Sequence, residues 1–184
     1  MQIDVIVEAR MTSSRLPGKV MLPCLNKPLL ELMVERLNRI NLVDNIIIAT
    51  TLNETDNCIQ ELTDRLGIKC YRGSENDVLL RLLEAAEYFG TDLIVEITGD
   101  DPLIDPEISS QVVNFFANNY QKYELVANDI VNSVPLGFYT RAFKTATLKR
   151  IEALTKTPID RENPEAYFYN NLENFPHYNI NLPK

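Results

Sequence analysis

Short runs rich in β-branched side chains alternate with longer segments whose apolar residues recur every three or four positions. The runs fall at 3–9, 45–51 (NIIIATT), 68–72 and 92–98 (DLIVEIT). The intervening 28–40 carries Leu29, Leu32, Met33, Leu37 and Ile40 at helical spacing. Residues 59–66 carry Ile59, Leu62 and Leu66 and end at Gly67, and residues 77–88 carry Val78, Leu79, Leu82, Leu83 and Ala86 and end at Gly90. Short strands without polar alternation must be covered on both faces, and helices between them supply the cover. The pattern therefore predicts an α/β fold with a mostly parallel sheet built by helical crossovers.

Past that point the pattern weakens. A helix is expected at 108–118 after the turn Asp105-Pro106, strands at 125–131 and 138–143, and helices at 144–154 and 167–172. No periodicity is legible from Glu173 onward. With 184 residues, 45% of them hydrophobic, and no internal repeat, one domain spanning 1–184 is expected.

Composition excludes several classes. Eighteen Lys and Arg against 26 Asp and Glu leave a net charge of −8, so a nucleic-acid partner held by broad attraction is not expected. No apolar run approaches the roughly 20 residues that span a bilayer, and the first residues lack the basic start of a signal peptide. Cys24, Cys58 and Cys70 lack metal-type spacing and read as reduced thiols. These features predict a cytoplasmic protein without a membrane partner.

In an open α/β sheet, ligands bind beyond the carboxyl ends of the strands. Two segments there carry chemistry. EARMTSSRLPGK, 8–19, leaves the first strand with Arg10, Arg15 and Lys19 interleaved with Thr12, Ser13, Ser14 and Gly18. Guanidinium forks match phosphate oxygens, Lys adds a mobile charge, and hydroxyls and backbone N–H groups can cradle an anion. The spacing is neither that of a Walker A loop nor G-x-G-x-x-G; a solvated basic loop is the plainer reading. TGDDPLID, 98–105, leaves the fourth strand with Asp100 and Asp101 after a Gly. Adjacent carboxylates suit Mg²⁺, which keeps waters and takes substrate phosphates, although Asp and Pro also mark turns and helix caps.

ARMTSSRLPGKV resembles the N-terminal signature of the cytidylyltransferases that activate acidic sugars, which include 3-deoxy-manno-octulosonate cytidylyltransferase, and within them a spore-coat polysaccharide branch. NKPLLELMVERL, NIIIATTLNETDN, YRGSENDVLLRLLEAA, EITGDDPLID and DRENPEAYFYNNLENF extend the similarity over nearly the whole chain. The resemblance implies a Rossmann-like three-layer nucleotidyltransferase fold. It also implies the reaction of CTP with a sugar acid to give a CMP-sugar and pyrophosphate, with Mg²⁺ as cofactor. Arg10, Arg15 and Lys19 would hold the triphosphate, Arg10 and Lys19 acting in catalysis by neutralising charge. Ala9, Ser13 and Ser14 would lie against the nucleotide. Thr50, Thr51, Arg72 and Ser74 would line its base and ribose side, with Thr98 also on the substrate side. Asp100 and Asp101 would bind the metal.

The chain departs from the spore-coat branch at 137–143 (GFYTRAF), where two acidic positions become Tyr139 and Arg141. Arg141 could there pair with an acidic sugar. Family members also carry a later metal-binding Asp for which these residues hold no matching segment. The resemblance implies a homodimer, with 130–184 as a sugar-binding and dimerisation extension and Phe138, Tyr139, Tyr167 and Phe168 as its apolar patch. His177, the only histidine, reads as a surface or subunit-contact residue, Glu84, Glu87 and Glu96 as solvated or edge positions, and Cys24 as a buried or loop thiol. Two other functions remain open: a nucleotidyltransferase using another nucleotide or sugar, and a non-catalytic nucleotide-binding relative.

Overall fold

The computed structural model describes residues 1–131 and 134–181. In chain order the elements are β1 (Ile3–Glu8), a hairpin of β2 (Pro23–Cys24) and β3 (Lys27–Pro28), α1 (Leu29–Leu37), β4 (Asn45–Thr51), α2 (Asn57–Leu66), β5 (Lys69–Gly73), α3 (Val78–Phe89), β6 (Leu93–Thr98) and α4 (Pro106–Asn118). There follow β7 (Leu125–Ala127), β8 (Arg141–Lys144), α5 (Thr145–Leu154), α6 (Pro158–Glu162), α7 (Pro164–Asn170) and β9 (His177–Asn179).

Seven strands form one sheet in the order β5-β4-β1-β6-β8-β7-β9. β1 lies inside the sheet, pairing in parallel with β4 (Val5 opposite Ile46) and with β6 (Val5 opposite Val95). β8 runs antiparallel to both of its neighbours, β6 and β7. Side chains alternate between the two faces. Val5, Val7, Ile48, Val95 and Ile97 meet α1, α2 and α4 through Met33, Leu37, Ile59, Val113 and Phe116. Ile6, Ile47 and Ile94 meet α3, α5 and α7 through Leu82, Ala86, Leu148 and Phe168. The result is the three-layer α/β fold the strand and helix pattern predicts.

The later elements are shorter than the sequence suggests, and some are new. The expected strands at 125–131 and 138–143 reduce to β7 and β8. The helix expected at 167–172 begins at Pro164, and the unpatterned tail supplies β9, which pairs in parallel with β7 (Val126 opposite Tyr178). Phe168 is not available to a dimer patch: it is 1% exposed and packs against Phe143 and Phe175, at ring separations of 5.1 and 5.2 Å. Glu96 is likewise not solvated; it is 3% exposed on central β6 and paired with Arg141 of β8 at 3.2 Å. Cys24 is exposed in the hairpin, and His177 is exposed on β9.

Candidate functional site

A cleft of about 220 Å³ opens at the carboxyl ends of β1 and β6. Among the residues that line it are Ala9, Arg10, Ser13, Ser14, Arg15, Lys19, Thr98 and Asp100. The fold thus brings together the two segments the sequence singled out, which lie some eighty residues apart in the chain.

The loop 10–19 takes its shape from a few fixed points. Gly18 has φ +72°, the left-handed region that a side chain disfavours, and its N–H bonds the carbonyl of Met11 at 2.8 Å. Met11 N–H donates to Asp56 Oδ1 at 2.9 Å. Arg10 reaches the carbonyl of Glu75 at 3.0 Å and lies 3.6 Å from the Glu162 carboxylate of α6. Lys19 pairs with Asp100. Arg15 is exposed and has no ion-pair or hydrogen-bond partner among the described residues. A guanidinium free to turn toward an incoming anion therefore stands between two cations already on the cleft wall.

The carboxylate turn after β6 is held by backbone contact. Gly99 N–H donates to the Glu8 carbonyl at 3.0 Å, and a Cβ on Gly99 would lie 2.4 Å from that oxygen, so only glycine lets the turn approach β1 this closely. Asp100 leaves this turn into the cleft with its side chain 40% exposed. Asp101 does not line the cleft. It accepts from Thr98 Oγ1 at 2.7 Å, and burial, with Asp100 beside it, raises its pKa. Among the described residues no group of three His, Cys, Asp or Glu side chains could hold a metal ion. Asp100 fits an ion that takes one carboxylate and completes its shell with water and phosphate oxygens.

Four expected nucleotide-side residues lie behind the cleft rather than on its wall. Thr50 and Thr51 are fully buried, and both hydroxyls donate to Asp56, at 3.0 and 2.6 Å. Arg72 donates to the carbonyls of Thr51 and Asn53 and to Asn57 Oδ1, at 2.7–2.8 Å, bracing the segment after β4. Ser74 Oγ accepts from Asp77 N–H at 3.1 Å, beside the start of α3. Arg141 is also committed. It bonds Asp129 at 2.7 Å, Glu96 at 3.2 Å and Tyr169 at 3.0 Å, so no free guanidinium faces an acidic sugar. Burial alone would lower its pKa, but Glu96, Tyr169 and Asp129 outweigh that and raise it.

Sequence reasoning missed Asp56, Glu8 and Arg81. Asp56 ties the loop after β1 to the end of β4, and nothing in its local pattern marks it. Arg81 lines the cleft although it is 2% exposed. Its signal was present: an arginine among the apolar residues of the inward stripe of α3. Glu8 also lines the cleft, at the end of an otherwise apolar strand.

A family model described as cytidylyltransferase matches residues 5–182. The chain is 35% identical over its whole length to an uncharacterized protein of Methanocaldococcus jannaschii, spanning 74% of that protein. It is 33% identical over 81% of its length to the spore coat polysaccharide biosynthesis protein SpsF of Bacillus subtilis. A 3-deoxy-manno-octulosonate cytidylyltransferase of Pelobacter propionicus shares 38% identity over 61% of the chain. The chain spans 63% and 44% of these last two proteins. Among solved structures, a cytidylyltransferase from Leptospira borgpetersenii matches all of the chain and 77% of its own, with TM-score 0.96 and 32% identity. A CMP:2-keto-3-deoxy-manno-octonic acid synthetase complexed with CTP matches 99% of the chain and 91% of its own at TM-score 0.71; with 18% identity it shares the fold.

Proposed function

The chain belongs to the cytidylyltransferase family, and from that premise we propose that its cleft binds CTP and transfers CMP to a sugar acid with release of pyrophosphate. The observation that carries this reading is the grouping of Arg10, Arg15 and Lys19 with Asp100 in one cleft at the carboxyl ends of adjacent strands. In a chain of net charge −8, that local concentration of cations matches a triphosphate. The relatives' descriptions supply the acceptor class: a spore-coat polysaccharide protein and octulosonate cytidylyltransferases.

In this reading Arg10, Arg15 and Lys19 hold the triphosphate, while Ala9, Ser13 and Ser14 line its path. The acceptor hydroxyl oxygen forms a bond to the α-phosphorus as its proton passes to water, and the bond from the α-phosphorus to pyrophosphate breaks. Arg10 and Lys19 offset charge as it grows on the phosphate oxygens. Asp100 would hold Mg²⁺, which when bound supplies further neutralisation of the leaving pyrophosphate. Glu162 and Asp100, the present partners of Arg10 and Lys19, yield those cations to the phosphates. Thr50, Thr51, Arg72 and Ser74 act from behind, by fixing the loops beside the nucleotide. We place Asp101 with them, as the tether of the carboxylate turn. A cytoplasmic homodimer contacting through 130–184 completes the proposal.

Titration calorimetry with CTP tests it. Arg15→Ala and Lys19→Ala are each expected to weaken CTP binding about tenfold or more, consistent with a lost charge-assisted contact. Asp100→Asn is expected to abolish the gain in affinity that Mg²⁺ brings. Unchanged CTP binding in both cation variants would refute the placement.

A further inference from the structure

Two residues that line the cleft each carry a buried polar atom with no hydrogen-bond partner. Glu8 is the last residue of β1, directly ahead of the phosphate loop, and keeps some surface on the cleft, while its Oε1 is sealed from solvent without a hydrogen-bond partner. Arg81 reaches the same cleft from α3. Its Nη1 donates to the carbonyls of Ser74 and Glu75, but its Nε is buried and unpartnered. The two side chains do not pair with each other; no ion pair within 4.0 Å joins them among the described residues. Buried polar groups are almost always satisfied, and an unsatisfied acceptor and donor lining one cleft call for a shared partner.

We propose that Glu8 and Arg81 form a subsite for a substrate hydroxyl at the floor of the cleft, the hydroxyl oxygen accepting from Arg81 Nε while the group bonds Glu8 Oε1. This inference rests on the nucleotidyltransferase reading of the same cleft. A hydroxyl both donates and accepts, so one such group seated between the two atoms can satisfy both. An ammonium there would have no lone pair to offer Arg81, and a phosphate would bring further negative charge beside a carboxyl that Glu96 and Glu165 already crowd.

The charges around Glu8 are consistent with a neutral partner. Burial raises its pKa well above the usual carboxylate value, Glu96 of β6 and Glu165 of α7 push the same way, and Arg81 of α3 and Arg141 of β8 oppose them. The charged form is thereby disfavoured, and glutamine keeps the shape of the side chain without its charge.

The hydroxyl can come from the ribose of CTP or from the acceptor sugar, and calorimetry separates the two. Wild type, Glu8→Gln and Glu8→Met are titrated with CTP, 2′-deoxy-CTP and 3′-deoxy-CTP in the presence of Mg²⁺. Each is then titrated with 3-deoxy-manno-octulosonate after saturation with a non-hydrolysable CTP analogue. For a ribose hydroxyl, wild type and Glu8→Gln prefer CTP over one deoxy analogue by about fivefold, the size of one neutral hydrogen bond, and Glu8→Met loses the preference. For a sugar hydroxyl, the nucleotides bind alike and Glu8→Met alone weakens the sugar by about fivefold. Either result supports the subsite. The melting temperature of Glu8→Met without ligand should equal or exceed that of wild type, because the change removes an unsatisfied buried group. The proposal is overturned if Glu8→Met matches wild type in both arms while CTP still binds. It is also overturned if Glu8→Met melts lower than wild type with its ligand preferences intact, which marks a packing role. Failure of wild type to bind CTP would instead sink the nucleotidyltransferase reading itself.

Discussion

Asp56 offers the sharpest test of how the phosphate loop is held. It is fully buried, and its carboxylate accepts four hydrogen bonds at 3.2 Å or less: Met11 N on Oδ1, and Thr50 Oγ1, Thr51 N and Thr51 Oγ1 on Oδ2. Asparagine preserves the shape but turns one acceptor into a donor. The amide costs least when its NH₂ replaces Oδ1, where Met11 N must be given up while the Thr55 hydroxyl, 3.4 Å away, can turn to accept. Losing that bond and setting two donors face to face costs about 2 kcal/mol, the middle of the range for one unsatisfied buried group. With a denaturation slope of about 2 kcal/mol/M, the urea midpoint should fall by about 1 M.

The pH dependence gives a second readout. Burial alone would raise the Asp56 pKa, but the bonds from Thr51, Met11 and Thr50 outweigh it and hold the carboxyl below its usual value. A group depressed in the folded state stabilises above its unfolded pKa, near 3.9, and loses that contribution as pH falls through the folded value. The gap between wild type and Asp56→Asn should therefore be full at pH 7 and shrink below about pH 4. Urea melts at pH 7 and at pH 3 to 4 measure both. Equal midpoints at pH 7, or a gap that persists unchanged in acid, would refute the reasoning.

Two other substitutions follow from the same geometry. Gly99→Ala forces a Cβ against the Glu8 backbone carbonyl, which cannot swing away as a side chain would. A loss of about 2–3 kcal/mol in thermal or urea unfolding is expected, together with weaker CTP binding because Asp100 rides on that turn. Glu96 is pushed up to about 7, by burial more than Arg141 can offset. A carboxyl raised in the folded state stabilises below its unfolded pKa, near 4.3, and loses that contribution as pH rises to about 7. Glu96→Gln should flatten the decline in melting temperature over this window, and an unchanged slope would contradict the assignment.

The sequence was most legible where local signals and tertiary packing agree. The runs ending at Ala9, Thr51 and Thr98 are apolar on both sides because both faces of β1, β4 and β6 are covered, so hydrophobicity alone marks them. The place of loop 10–19 on the cleft was legible for a similar reason: its cations cluster within a few positions, and the strand ahead places them. What stayed hidden depends on partners distant in the chain. β9 is His177-Tyr178-Asn179, a polar triplet that becomes a strand through its pairing with β7, more than fifty residues earlier. Glu96 reads as a surface residue until Arg141, which pairs with it, arrives from β8. Thr50 and Thr51 resemble binding residues by position, yet their hydroxyls turn inward to Asp56, a contact no periodicity reveals.

The central claim is that the cleft at the ends of β1 and β6 is a cytidine triphosphate site. Its most direct test is calorimetric titration of the purified chain with CTP, UTP, ATP and GTP, each with and without Mg²⁺, repeated on Lys19→Ala. The account predicts binding selective for CTP, strengthened by Mg²⁺ and weakened about tenfold or more in the variant. A wild-type chain that binds no nucleotide, or binds all four alike and indifferently to Lys19, would contradict it.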